Sequence, residues 1–344
     1  MKTRLALMIA VLGGLCLSIH PLLAADAGAG TDGPKAVRPA HTFSIVARDA
    51  RTGYLGVAVQ SHWFSVGTTV TWAEAGVGAV ATQSFVEPAY GLRGLSLMKS
   101  GLAAPDALKA LLDVDPARDV RQVAFIDTAG RVNAHTGAKC IQCAGQHVGD
   151  GYSVQANMML NDDVVPAMAK AYESASGELA DRLMAALEAG QAAGGDIRGR
   201  QSAAMLIVKG QSTGRPWADR VLELRVEDSP EPIVELRRLL TVHRAYEEMN
   251  LGDLAVEKND MPGALMHYSA AAAILPDSLE IIYWQAVTLA TNGRVDESLP
   301  LFRQIFAQDA NWAELTRRLP AAGLIPDTPE GKLILDKILA VAPK

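Results

Sequence analysis

Thr42-Phe43-Ser44-Ile45-Val46-Ala47-Arg48, Asp49-Ala50-Arg51-Thr52-Gly53 and Tyr54-Leu55-Gly56-Val57-Ala58-Val59-Gln60 follow one another without a break, and this run decides the fold. The outer segments are short, apolar or alternating, and read as strands; the Thr-Gly end of the middle segment suits a hairpin turn. Working outward, further strands are predicted at 78–82, 123–126, 131–134, 152–158, 203–208 and 221–226, with Asp127-Thr128-Ala129-Gly130 turning another hairpin. Helices of 3.6 period are predicted at 92–99, 105–112, 164–174 and 178–193. Strands and helices arrive in clusters and not in strict alternation, which favours an α+β layered domain with largely antiparallel sheets.

The chain has 344 residues, 49% of them apolar and 20% charged, enough for two domains with real cores. Lys and Arg number 32 against 38 Asp and Glu, a formal net charge of −6. That leaves no basic excess to neutralise phosphates, so neither nucleic acid nor an anionic membrane surface is expected as a partner. Neither glycine nor proline shows a short period, which excludes collagen-like and low-complexity classes.

Ahead of the first strand, Lys2 and Arg4 precede an apolar run over 5–17, with small residues at Ala24 and Ala25. Residues 1–24 therefore read as a cleaved signal peptide, and the protein is expected to be periplasmic or secreted. The run is shorter than the ~20 residues that cross a bilayer, and no later segment is long and apolar enough to span. Residues 25–40, built of Gly, Ala, Asp and Pro, read as a disordered spacer or propeptide, and the layered domain is assigned to 41–228.

After Pro230-Glu231-Pro232 every apolar pattern is helical. Residues 229–244 read as a linker and a packing helix at 233–240, followed by helical repeats over 245–344. Residues 245–278 and 279–312 align as two copies of a 34-residue unit similar to the tetratricopeptide pattern, with Leu251-Gly252, Ala264, Tyr268 and Pro276 in the first copy. Two such units cannot close a core alone, so the helix at 233–240 and the tail at 315–339 are expected to cap them. The block is either a stabilising appendage or a docking face for a protein partner.

No metal signature, P-loop, dinucleotide fingerprint or nucleophile elbow appears, so no metal and no cofactor are expected. His41, His62, His135 and His147 are dispersed. Polar residues gather instead at strand ends: Thr42 and Ser44; Gln60-Ser61-His62; Thr82-Gln83-Ser84; Gln155-Ala156-Asn157; and Asp196 through Ser202. So many on different strands make a shared pocket plausible. Cys140 and Cys143 form a CxxC pair that a local disulfide, two thiols, or metal or redox chemistry would each explain.

Several stretches, in this order, resemble the domain of unknown function 1028 family of the N-terminal-nucleophile (Ntn) hydrolase superfamily. They are His41 to Asp49, Gly56 to Ser61, Gly76 to Gln83, Thr136-Gly137-Ala138-Lys139-Cys140, Val154-Gln155-Ala156-Asn157 and Gly194 to Ala204, and the similarity spans 42–240. It implies a four-layer αββα sandwich in which Thr42 is the nucleophile and its own freed α-amine, of reference pKa near ~8, the general base. Asn157 is then the oxyanion donor, and Ser61 and Gln83 orient the amine or the substrate. Asp196, Arg198, Arg200 and Gln201 would hold a charged end of the substrate. An amide nitrogen is not basic, so Thr42 can act only after the 41–42 bond is broken. The expected activity is hydrolysis of a small amide or peptide by an exported protein; the alternative is a non-catalytic ligand-binding or scaffold protein whose repeats bind an envelope partner.

Overall fold

The computed structural model of the chain describes residues 39–40 and 42–343. The expected leader, and the spacer apart from Pro39 and Ala40, lie outside the described residues. In chain order the strands are β1 (Pro39–Ala40), β2 (Thr42–Arg48), β3 (Leu55–Ser61), β4 (Thr71–Glu74), β5 (Gly78–Phe85), β6 (Arg121–Asp127), β7 (Val132–Thr136), β8 (Gly145–Gly149), β9 (Tyr152–Ala156), β10 (Ser202–Val208) and β11 (Arg220–Val226). Helices α1 (Gly67–Val70), α2 (Ala89–Lys99), α3 (Ala104–Val114), α4 (Val164–Ser174), α5 (Leu179–Ala192) and α6 (Pro216–Asp219) interrupt them. A helical region follows: α7 (Pro232–Glu257), α8 (Met261–Ile274), α9 (Leu279–Thr291), α10 (Val295–Gln308), α11 (Asn311–Arg318) and α12 (Pro329–Leu339).

The strands form two antiparallel sheets. The first runs β1-β5-β6-β7, with β4 also paired to β5; the second runs β11-β10-β3-β2-β9-β8. Side chains alternate across each strand, so each sheet has two apolar faces to cover. Val46, Val57, Val59, Ala79, Ala81, Ala124 and Ile126 meet between the sheets. Phe43, Ile45 and Ala47 point the other way, under Met168 and Tyr172 of α4, Leu183 and Leu187 of α5, and Leu236 and Leu240 of α7. Val80, Val123 and Phe125 pack under Tyr90 and Leu95 of α2 and Leu108 of α3. Helix α2 lies close to its sheet: a Cβ on Gly91 would come 2.3 Å from the Trp72 ring, and one on Gly94 2.3 Å from Phe125.

Two departures from the sequence expectations have plain causes. The end of the spacer is ordered, because β5 extends beyond β4 and its open edge pairs Pro39 with Phe85 and Ala40 with Ser84. The separate packing helix at 233–240 is instead the first half of α7, a single 26-residue helix. Thr241-Val242-His243-Arg244 contains neither Gly nor Pro, so nothing stops the helix there. Its first half buries Ile233, Leu236 and Leu240 against the second sheet, and its second half places Ala245, Met249 and Ala255 in the core of the helical region. Asn259 (φ 57°) and Gly293 (φ 78°) both adopt the left-handed conformation at the turns after α7 and α9. No described helix is long and apolar enough to cross a membrane.

Asp115 ties the helix layer to the first sheet. Its Oδ2 accepts from Arg121 Nε at 2.9 Å and Tyr90 OH at 3.0 Å, and its Oδ1 from Ala117 N at 2.8 Å. Burial alone would raise its pKa, but the Arg121 guanidinium and the donors around it hold the carboxylate below its ordinary range, while burial and Asp115 push Tyr90 up. A depressed acid contributes stability that is present above its unfolded pKa and lost as pH falls through the folded value. Asp115→Asn is therefore expected to cost about 2 kcal/mol near neutrality. Urea midpoints for the two proteins should converge as pH falls below the carboxylate range; a constant gap would show that Asp115 acts otherwise.

Candidate functional site

The layer between the sheets changes character along its length. At one end it is apolar; towards the start of β2 the same faces carry Ser44 and Thr42 on β2, Ser61 on β3, Gln83 on β5, Gln122 on β6 and Gln155 on β9, all buried. Period two fixes this: Gln83 follows Ala79 and Ala81 on one face, and Gln122 precedes Ala124 and Ile126.

Ser44, Gln83, Gln122 and Gln155 form one hydrogen-bonded network. Ser44 Oγ donates to Gln83 Oε1 at 2.7 Å and accepts from Gln155 Nε2 at 2.6 Å; Ser153 Oγ donates to Gln155 Oε1 at 3.0 Å. Gln83 Nε2 donates to Gln122 Oε1 at 2.7 Å and to the Thr42 carbonyl at 3.2 Å. Gln122 Oε1 also accepts from Asn157 Nδ2 at 2.9 Å. Gln122 Nε2 donates to Thr136 Oγ1 and the Ala156 carbonyl, both at 2.8 Å, and to Gly145 O at 3.1 Å. Gln122 thus joins both sheets with its full hydrogen-bonding capacity engaged.

Thr42 sits at the edge of this network. It pairs across the sheet with Ser61, which pairs in turn with Ser202. The Thr42 carbonyl accepts from Asn157 N at 3.1 Å as well as from Gln83. The chain changes sheet here: β1 pairs with β5 in the first sheet, and β2 starts the second at Thr42. Non-glycine residues with positive φ gather at this end. Ser84 (70°) pairs with Ala40, Met158 (59°) follows Asn157, and Cys143 (54°) lends its carbonyl to Met159 N. Such backbone is costly and tends to concentrate at working sites.

Of the candidate residues, Thr42, Ser61, Gln83 and Asn157 come together. Asp196 lies close by, but its carboxylate is engaged within the protein: it accepts His62 N at 3.1 Å, Arg198 N at 2.9 Å and, bidentately, Arg198 Nε and Nη2 at 3.0 and 2.7 Å. Arg200 pairs with Glu231, and Gln201 Nε2 donates to Asp228 at 3.2 Å, so these two side chains hold the approach to α7. Cys140 and Cys143 are free thiols. They face different partners: Cys140 Sγ donates to the Arg121 carbonyl at 3.4 Å, whereas Cys143 lies beside Asp162. Burial pushes the Cys140 thiol up; burial and the Asp162 carboxylate do the same at Cys143. Among the described residues no group of three His, Cys, Asp or Glu is placed to hold a metal.

Sequence reasoning missed Gln122, because the predicted strand began at Val123. Carrying the alternation of Ala124 and Ile126 back by one step would have placed it on the inner face. Gln60 behaves differently from the other glutamines: it is fully buried on the helix-facing side of β3, with neither amide atom hydrogen-bonded.

The family of unknown function DUF1028 matches residues 42–236, from the first residue of β2 to the first turns of α7, and the chain belongs to this family. The crystal structure of protein SPO2555 from Silicibacter pomeroyi, also described as DUF1028, is 30% identical, with a TM-score of 0.53 over 58% of this chain and 84% of that one. No curated protein matches.

Proposed function

We propose that this member of the DUF1028 family is an exported amide-bond hydrolase of the Ntn type, its two sheets and flanking helices forming an Ntn-like αββα sandwich. Thr42 becomes the N-terminus when the 41–42 bond breaks. Its freed amine takes the proton of its own hydroxyl, and Oγ attacks the carbonyl of a small amide or peptide. The leaving amine carries that proton away, and water then hydrolyses the ester to release the acid and restore Thr42. A side-chain amide donor, Asn157, changes no protonation state as the tetrahedral oxyanion forms and collapses. No cofactor enters the scheme.

One observation carries this reading. The residue that opens the family match is buried at the polar end of the inter-sheet layer, its carbonyl fixed by Gln83 and Asn157, at the position where the chain passes from one sheet to the other. Export rests on the composition of residues 1–24. The helical region is proposed as a tetratricopeptide-like docking module, supported by Asn259 and Gly293 at matching turns and by Gly252, where a Cβ would stand 3.0 Å from the Tyr268 ring.

N-terminal sequencing and intact mass of active protein test the mechanism. The catalytic species is expected to begin at Thr42. Full activity in a chain that still begins at residue 25 would overturn it.

A further inference from the structure

At the other end of β2, a cleft of about 850 Å³ opens among the loops that leave the strands. Arg48 ends β2, and Arg51 and Thr52 come from the β2–β3 turn; Glu74 ends β4, Gly76 comes from the β4–β5 turn and Thr128 from the β6–β7 turn; Gly210 and Ser212 follow β10, and Lys99 ends α2. Arg48 lies six residues along the extended strand from Thr42, roughly 20 Å at ~3.3 Å per residue. The cleft is a different place from the site described above.

The cleft's charge is unbalanced. Lys99 Nζ pairs with Glu74 Oε1 at 2.6 Å, which accounts for the one carboxylate lining it. Asp49 does not line the cleft; its Oδ1 accepts the N–H groups of Arg51 and Thr52 at 2.8 Å each. Neither Arg48 nor Arg51 has an ion pair among the described residues, and Arg48 Nε is buried without a hydrogen-bond partner. The Arg48 side chain passes between turn glycines: a Cβ on Gly53 would lie 3.9 Å from its Nη2, and one on Gly130 3.7 Å from its Cδ. Gly53 (φ 74°) and Gly130 (φ 80°) hold backbone that side chains disfavour, so the slot is built into the turns. A guanidinium partly withdrawn from water with no counter-charge is unfavourable, and its planar fork matches a carboxylate or phosphate.

We propose that this cleft binds a small ligand through a carboxylate or phosphate group, with Arg48 as the anchor and Arg51 and Lys99 at its rim. The site is independent of the Thr42 chemistry.

Isothermal titration with inorganic phosphate and, separately, succinate tests the proposal, with chloride holding ionic strength constant. One of the two anions is expected to saturate at one per chain, and the anion that does so identifies the ligand group. Arg48→Met should weaken that binding at least tenfold and Arg51→Gln severalfold, while Thr42→Ala binds as the parent does. Arg51 is exposed, so its variant keeps the test valid if Arg48→Met fails to fold. Absence of saturable binding by either anion in the parent, or parental affinity in both arginine variants, would overturn the assignment.

Discussion

Thr42→Ala is expected to lower amide hydrolysis by about a thousandfold or more, the usual scale for removing a covalent nucleophile, while the protein stays folded. If the proposed maturation is self-cleavage by the Thr42 hydroxyl, the same variant should also remain uncut between residues 41 and 42. Intact mass therefore gives a readout that needs no substrate. Thr42→Ser keeps a hydroxyl and an α-amine at the same position and should retain both processing and turnover. The Thr42 side chain is fully buried, so its truncation carries a stability cost of about 1 kcal/mol, which circular dichroism and a urea titration separate from lost chemistry. A processed and active Thr42→Ala protein would end the nucleophile assignment, whatever substrate is found.

The readable part of this fold is the part governed by period. Residues 42–48 and 164–174 are strand and helix as their patterns require, because Phe43, Ile45 and Ala47, or Val164, Met168 and Tyr172, each need one covered face. Strands β4 and β8 were not legible. Thr71-Trp72-Ala73-Glu74 is half exposed throughout, and Gly145-Gln146-His147-Val148-Gly149 is an edge strand with little apolar surface to alternate. The pairing of Pro39 and Ala40 with β5 could not be read locally, since it depends on an edge supplied by residues more than forty positions away.

The site was legible as a set of residue types and not as an arrangement. Thr42, Gln83 and Asn157 stood out as polar residues at strand ends, and three-dimensional pairing brings them together. The same logic selected Asp196, Arg200 and Gln201, whose chemistry equally suits structural bonds; in the fold their partners are Arg198, Glu231 and Asp228. Arg48 escaped notice because an arginine at a strand end is ordinary until its place in the fold shows no carboxylate paired with it among the described residues.

Gln122→Leu should destabilise the protein by about 3 kcal/mol or more, the largest stability loss expected of any single polar change in the inter-sheet layer. Leucine fills a similar volume, but it removes the shared acceptor of Gln83 and Asn157 and the donor to Thr136, Ala156 and Gly145 in one step. The Thr42 carbonyl is held through two of those neighbours, so activity should fall together with the urea midpoint. Gln122→Glu separates the two effects. Its carboxylate would retain an acceptor for Gln83 and Asn157 but set a second oxygen against the Ala156 and Gly145 carbonyls, in a layer closed to water. Only the protonated acid can donate there, so its folded pKa must lie above the unfolded one. A raised acid acts oppositely to Asp115: the variant is most stable below the unfolded pKa and loses stability as pH climbs towards and through the folded value. Urea midpoints of Gln122→Glu relative to the parent, measured from pH 4 to pH 8, are therefore expected to fall steadily. A flat difference would mean that this position does not join the sheets through its donor, and the network's hold on Thr42 would have to be sought in Gln83 alone.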